Sequence, residues 1–436
     1  MPIAIAHAPP TKIGQSIDKR APHSHHRPPY QPQRAPDASV LPRANPPKPT
    51  RVIWTEGAAP GALGAPHLRK QRPLRILFAT ARYLPERGGT EIHTHEVAKR
   101  LAERGAEVTV ASTARSRPFK RDSHEGQVRV LRVRAWPPKR DYYFAPGLAR
   151  VIRENRSDIV HCQGYHTLVA PLVMLVALSC RIPYIVTLHS GGHSSKLRRQ
   201  LRPLQAWLLR PLLSRARRLV AVSSFEADLF ARRLRLPRDA FVMIPNGIDL
   251  PVPLAKVVPS EPPLILSLGR LERYKGHQRV MEALPALNRA RPGIRLRVVG
   301  SGGYECQLRR LAARLGVVDL VEIAPVPADD REGMARLLSK AAVVASLSEY
   351  ESQGLAIQEA IALGRPVVVS LGSALGELGR YPNVRALGRL ARGEDVAAAI
   401  LELLDASPAE PPVLPTWDDC TAALLELYED TLAESS

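Results

Sequence analysis

The chain has 436 residues, 45% hydrophobic and 24% charged, the composition of a soluble globular protein with room for two domains of ordinary size. Its four cysteines, Cys162, Cys180, Cys306 and Cys420, show neither CxxC pairing nor zinc-ligand spacing, so they indicate neither a disulfide framework nor a metal site and fit a reduced, cytoplasmic compartment. The net charge of +21 divides into +8 over residues 1–72, +17 over 73–255 and −4 over 256–436, so an anionic partner is expected for the first folded half.

Residues 1–72 hold 14 of the 41 prolines, in clusters such as Arg27-Pro28-Pro29 and Asn45-Pro46-Pro47-Lys48-Pro49, and carry no sustained apolar period. So little apolar surface cannot offset the entropy of ordering, and a disordered Pro/Arg-rich tail is expected there. His23, His25 and His26 read as part of that polar tract rather than as metal ligands, and Ile3 to Ala8 is too short for a signal peptide.

From Leu74 onward, short apolar runs alternate with amphipathic segments. Ile76–Thr80, Val108–Ser112, Val128–Val133, Ile159–Cys162, Tyr184–Leu188, Leu219–Val222 and Phe241–Ile244 are predicted as buried parallel strands with helices between them. After a linker around Pro251–Pro263, a second series follows at Leu264–Leu268, Leu296–Val299, Val321–Ala324, Ala342–Ala345 and Pro366–Val369. The expected fold class is α/β, with two Rossmann-like doubly wound domains at 73–255 and 256–415 and a closing helix within 416–436. The longest apolar run, Leu168 to Leu178, falls short of the roughly 20 residues a bilayer requires and predicts a buried helix.

Ligands of such sheets bind beyond the carboxyl ends of the strands, and each candidate residue falls there. After the first strand, Gly88-Gly89 precede a helix and leave backbone N–H groups open to a phosphate, although a loop that merely needs unusual backbone angles would read the same way. His189 follows the strand Tyr184–Leu188 and is placed to meet an acceptor hydroxyl or move a proton. His161, at a neighbouring strand, is read as structural. Arg270 and Lys275 follow the strand Leu264–Leu268; a planar fork and a point charge together suit a diphosphate. Glu351 and Glu359 have seven residues between them, and Gly354-Leu355 opens a helix. One carboxylate can then stay in the loop beside a sugar while the other reaches a ribose. The apolar flank Ala360 to Val368 argues against free exposure of Glu359.

Between His193 and Leu219, eight Lys and Arg residues (Lys196, Arg198, Arg199, Arg202, Arg210, Arg215, Arg217 and Arg218) lie beside Leu204, Trp207, Leu208 and Leu212. An ordinary helix packed on the first sheet with a solvated basic face accounts for this segment by itself, whereas the +17 of the whole half favours a basic amphipathic surface for an anionic membrane; Pro203 and Pro211 are expected to interrupt the helix.

Glu351 to Glu359 with Gly-Arg-Pro-Val-Val beyond, Gly-Arg-Leu and Lys-Gly upstream, Gly88-Gly89, Val222-Ser-Ser-Phe-Glu226 and Ile244-Pro-Asn-Gly-Ile-Asp249 together resemble the retaining GT-B glycosyltransferases of family GT4, from about Leu74 to the final helix. The resemblance implies two domains facing across a cleft, with the last helix packing back on the first. It further implies transfer of a hexosyl unit from a nucleoside-diphosphate sugar to a glycan or lipid-linked acceptor, as in polysaccharide, lipopolysaccharide or glycolipid synthesis. By position, Gly88 and Gly89 would contact the diphosphate through backbone and Arg270 and Lys275 would neutralise it. Glu351 would lie at the donor sugar, Gly354-Leu355 and Glu359 at the nucleotide, and His189 on the acceptor side. Gln353 departs from the aromatic residue of many relatives. No Asp-x-Asp triplet occurs, and no cofactor or metal is expected. The expected station is cytoplasmic and peripheral on the inner face of the cell membrane. A nucleotide-sugar epimerase of the same architecture and a basic nucleic-acid-binding protein stay open as alternatives, although the 5% aromatic content and the lack of a nucleic-acid-binding signature make no nucleic acid the expectation.

Overall fold

The computed structural model describes residues 72–434 apart from 87, 115–118, 138–142, 190–195, 249–259 and 328, and describes 196–202 by backbone alone. The expected tail, Gly191-Gly192-His193 and most of the predicted linker therefore lie outside the described residues.

Strands β1 (Arg75–Thr80), β2 (Glu107–Ala114), β3 (Asp122–Glu125), β4 (Val128–Arg134), β5 (Ile159–Gln163), β6 (Tyr184–Thr187), β7 (Arg218–Ala221) and β8 (Phe241–Met243) form one sheet in the order β3-β4-β2-β1-β5-β6-β7-β8. All neighbours are parallel except β3 and β4. Crossover helices cover both faces of such a sheet, which is why β1 reads as an unbroken apolar run. Ile76 and Phe78 face a core with Val97, Leu101 and Leu424, whereas Leu77 and Ala79 face one with Leu148, Val173 and Leu213.

The second sheet comprises β9 (Leu264–Leu268), β10 (Arg295–Val299), β11 (Val321–Ile323), β12 (Val343–Ser346), β13 (Val367–Ser370) and β14 (Val384–Leu387) in the order β11-β10-β9-β12-β13-β14, parallel throughout. Its faces are likewise both covered, by clusters around Leu284 and Ile400 on one side and Ile357 and Ile361 on the other.

Three features differ from the sequence reading. Strand β3, Asp-Ser-His-Glu, is an antiparallel polar edge, and β14 closes the far edge of the second sheet. Edge strands are short and half-solvated, so neither carries the apolar pattern that marks a central strand. The helix Lys196–Leu213 runs through both Pro203 and Pro211, where interruptions were expected. Each proline removes one backbone donor, but the buried Ala206, Leu209 and Leu213 anchor the helix to the first sheet and outweigh that loss.

The last helix, Trp417–Ala433, begins with a capping box in which Thr416 and Asp419 each bond the other's backbone. Its buried face, Trp417, Leu424 and Tyr428, joins the core under β1 in the first sheet. Cys162, Cys180, Cys306 and Cys420 are all free thiols. Among the described residues, no helix is long and apolar enough to cross a membrane; the run near Leu168 forms the helix Val169–Ser179, packed on the first sheet.

Candidate active site

In the second sheet, strand order reverses between β9 and β12, and the loops leaving their carboxyl ends bound the crevice where doubly wound sheets take ligands. Arg270 and Lys275 leave β9; Glu351, Gln353 and Gly354 follow β12. The two loops are tied by a bond from Glu349 N–H to the Tyr274 carbonyl at 2.8 Å. Gly276 makes this approach possible: its φ is +79°, and a Cβ there would lie 2.2 Å from the Leu347 carbonyl oxygen. The result is a hydrogen-bonded ion pair between Lys275 Nζ and Glu351 Oε1, with side chains 13% and 20% exposed.

Arg270, on the same loop as Lys275, has its own partners. Its side chain is 62% exposed, with Nη1 at 2.8 Å from Glu272 Oε1 and Nη2 donating to the Tyr274 hydroxyl at 2.7 Å. Its backbone is held by His277, which sequence reasoning passed over. His277 Nε2 donates to the Arg270 carbonyl at 3.2 Å, and Nδ1 then accepts from the Ser267 hydroxyl at 2.8 Å. Burial holds this imidazole at about 4, so it stays neutral and keeps that tautomer. A histidine opening a helix directly after a glycine was the available signal.

Gly354 has φ +79° and opens the helix Leu355–Ala362. Leu355 packs against the cores of both sheets. Glu359 lies on this helix with its side chain only 8% exposed, as its apolar flank predicted. Its Oε1 is engaged by Arg331 Nη2 at 2.8 Å. Arg331, at the start of a helix remote in sequence, carried no signal of its own.

On the first sheet, Gly88 is the N-cap of the helix Gly89–Glu103, with extended backbone at φ −160°, so it is not the strained loop that would explain the glycines structurally. A Cβ on Gly89 would meet open space, whereas one on Gly88 would meet only the end of the Glu91 side chain. Glu91 is buried in the first helical turn and pairs with Arg82 at 2.8 Å, so a carboxylate already interacts with this positive helix end.

His189 follows β6 with φ +42°. Its Nε2 donates to Gln163 Oε1 at 2.7 Å, leaving Nδ1 as the acceptor. His93 stands edge-on to it with ring centroids 4.6 Å apart, and Trp417 stands 5.9 Å from His93. Burial, then His93, His161 and His166, hold His189 well below the usual imidazole range. The ring is therefore held neutral, with Nδ1 able to accept a hydrogen bond from a hydroxyl. His161 lies within β5 rather than at its end and is fully buried between the Tyr428 hydroxyl at 2.6 Å and the Thr187 hydroxyl at 2.7 Å, a core histidine.

Residues 87–251 match the model of Glycosyltransferase Family 4, and residues 255–407 match that of Glycosyl transferases group 1. A D-inositol 3-phosphate glycosyltransferase of Nocardiopsis dassonvillei is 31% identical over 74% of this chain and 82% of its own length. A glycogen synthase of Mycobacterium tuberculosis is 29% identical over 76% and 86%. The fold is that of the GT-B proteins: the Anabaena protein Alr3699/HepE, solved in complex with UDP and glucose, superposes with a TM-score of 0.59 over 83% of this chain and 95% of its own, at 17% identity.

Proposed function

The chain belongs to the glycosyltransferases, family 4 in its first half and group 1 in its second, and from that premise we propose that it transfers a hexosyl unit from a nucleoside-diphosphate sugar to an acceptor hydroxyl with retention at the anomeric carbon. The observation that carries this reading is the Lys275–Glu351 pair at the switch point of the second sheet. There an ammonium can meet the departing diphosphate while the carboxylate accepts hydrogen bonds from sugar hydroxyls. The bond from the anomeric carbon to the diphosphate breaks, one to the acceptor oxygen forms, and the acceptor proton leaves toward the diphosphate or a neutral base. His189 is the group this reading assigns to the acceptor side, where it accepts a hydrogen bond from the acceptor hydroxyl, with Gly88 and Gly89 facing the diphosphate and Gly354, Leu355 and Glu359 the nucleoside. Arg270 would swing from Glu272 to the diphosphate, and charge neutralisation needs no metal.

A ligand that binds only the native state raises its melting temperature. UDP or GDP at about a hundred times its dissociation constant is expected to stabilise the chain by about 2.7 kcal/mol, and nucleotide release from the matching sugar nucleotide should depend on added acceptor. A screen of both nucleotides and their common sugars that leaves melting unchanged would sink the donor assignment.

The same reading stations the protein on the cytoplasmic membrane face. Leu204, Trp207 and Leu208 are 51%, 67% and 59% exposed on one helix, with Arg210 and Arg215 beside them. Large apolar side chains left in water next to cations suit an anionic bilayer, where each charge contributes about 1 kcal/mol. Flotation with phosphatidylglycerol vesicles is the expected result, lost with phosphatidylcholine alone and on Trp207→Ser with Leu208→Ser. Equal flotation of that variant would remove this surface from consideration.

A further inference from the structure

Gln353 lies two residues past Glu351, and its surroundings give it a physical role. The side chain is buried, with the residue 4% exposed. Its Oε1 accepts from Asn246 N–H at 2.8 Å, and its Nε2 donates to the Asn246 carbonyl at 2.9 Å and to Gln358 Oε1 at 3.2 Å. A single amide thus closes a two-way bond onto one residue's backbone, the geometry by which strands recognise one another. Asn246 follows β8 of the first sheet, whereas Gln353 follows β12 of the second. An apolar side chain of similar size could fill the space but could make neither backbone bond.

Resting on the glycosyl-transfer reading above, we infer that Gln353 is a positioning residue: it ties the loop carrying Glu351 to the first sheet, so that the approach of the two lobes sets the carboxylate in place. Glu351 lies two residues before Gln353, so a tie at Gln353 bears directly on the carboxylate. Two further contacts cross at the same place. Tyr350, adjacent to Glu351, sets its ring 5.9 Å from Phe225 of the first lobe, and Glu377 of the second lobe accepts from the Phe225 backbone N–H at the start of the helix Ser224–Leu234. Tyr350 reaches the loop bearing the candidate carboxylate through ring packing alone, and Glu377 grips the first lobe from another segment. Gln353 supplies that loop's hydrogen-bonded tie to Asn246.

Such a clamp acts on geometry rather than on donor affinity, and misplacement of a reacting group by about 1 Å can cost on the order of 100-fold in rate. The test is Gln353→Leu in the full chain, which keeps most of the volume and removes the hydrogen bonds. Three readouts are taken together: donor-nucleotide dissociation constant by calorimetry, kcat for transfer, and radius of gyration by small-angle scattering. The expected result is a kcat lower by about 10- to 100-fold, nucleotide affinity within about threefold, and a larger radius than wild type. Gln353→Glu, which keeps an acceptor for Asn246 N–H but sets a carboxylate against the Asn246 carbonyl, is expected to show the same separation of kcat from affinity. Unchanged kcat and unchanged scattering in both variants would overturn the inference, as would equal losses in nucleotide affinity and kcat with no change in radius. Should wild-type protein turn over no nucleotide sugar, the transfer reading fails, yet the scattering comparison still decides whether Gln353 holds the lobes together.

Discussion

Lys275→Ala and Glu351→Gln are each expected to lower glycosyl transfer by about 100- to 1,000-fold, the usual cost of removing one preorganised charge from a developing transition state. The two side chains are joined in the ground state and partly shielded from water, so either substitution also strands its partner. Stability and catalysis must therefore be separated. The double variant Lys275→Met with Glu351→Gln has no unpaired charge and is expected to melt closer to wild type than Lys275→Ala does, while remaining as inactive as either single variant. Initial rates with the donor found by melting screens, alongside denaturant unfolding, check both parts. Wild-type turnover in Lys275→Ala and in Glu351→Gln would show that the pair is structural and that the site lies elsewhere. An inactive double variant with normal stability is the outcome the reading requires, because a merely structural ion pair can be replaced by neutral groups without loss of chemistry.

Acid is expected to unfold this protein earlier than its carboxylates alone would. Burial holds His93 and His277 at about 4 and holds His161 and His189 well below the ordinary imidazole value. In the unfolded chain each titrates near 6.5. A group that is harder to protonate in the folded state contributes fully above the unfolded value and loses that contribution as pH falls from about 6.5 toward its folded value. For His93 and His277 the window runs from 6.5 to about 4. Lowering pH from 6.5 to 5 is expected to cost about 1 to 2 kcal/mol for each of them. Glu377 opposes this trend: burial raises its carboxyl, so it favours the folded state as pH drops, but it is one group against four. Urea unfolding between pH 7.5 and 5 should show stability falling with a slope that steepens toward one proton per histidine near pH 5. His277→Gln should flatten that slope by about one proton. A stability profile level across this range would mean that the four rings are hydrated or already protonated in the native state.

The chain's order of apolar runs determined a great deal unaided. Two parallel sheets with covered faces follow from β1, β5, β9 and β12, whose unbroken runs have only one environment in which they are stable. The placement of Arg270, Lys275, Glu351 and Glu359 beyond strand ends follows from the same reading, because strand and loop boundaries are local properties. Free exposure of Glu359 was likewise excluded by its apolar flank. Partnership was decided only by tertiary structure. Lys275 meets Glu351 across 76 positions of sequence, Glu359 meets Arg331 across 28, and Gln353 meets Asn246 across 107. A charged or amide side chain can reach any partner within a few ångströms, and local pattern contains nothing about which loops a folded sheet brings that close. The polar edge strand β3 and the helix that runs through Pro203 and Pro211 were hidden for the same reason: each opposes its own local propensity, and each persists because contacts distant in sequence outweigh it.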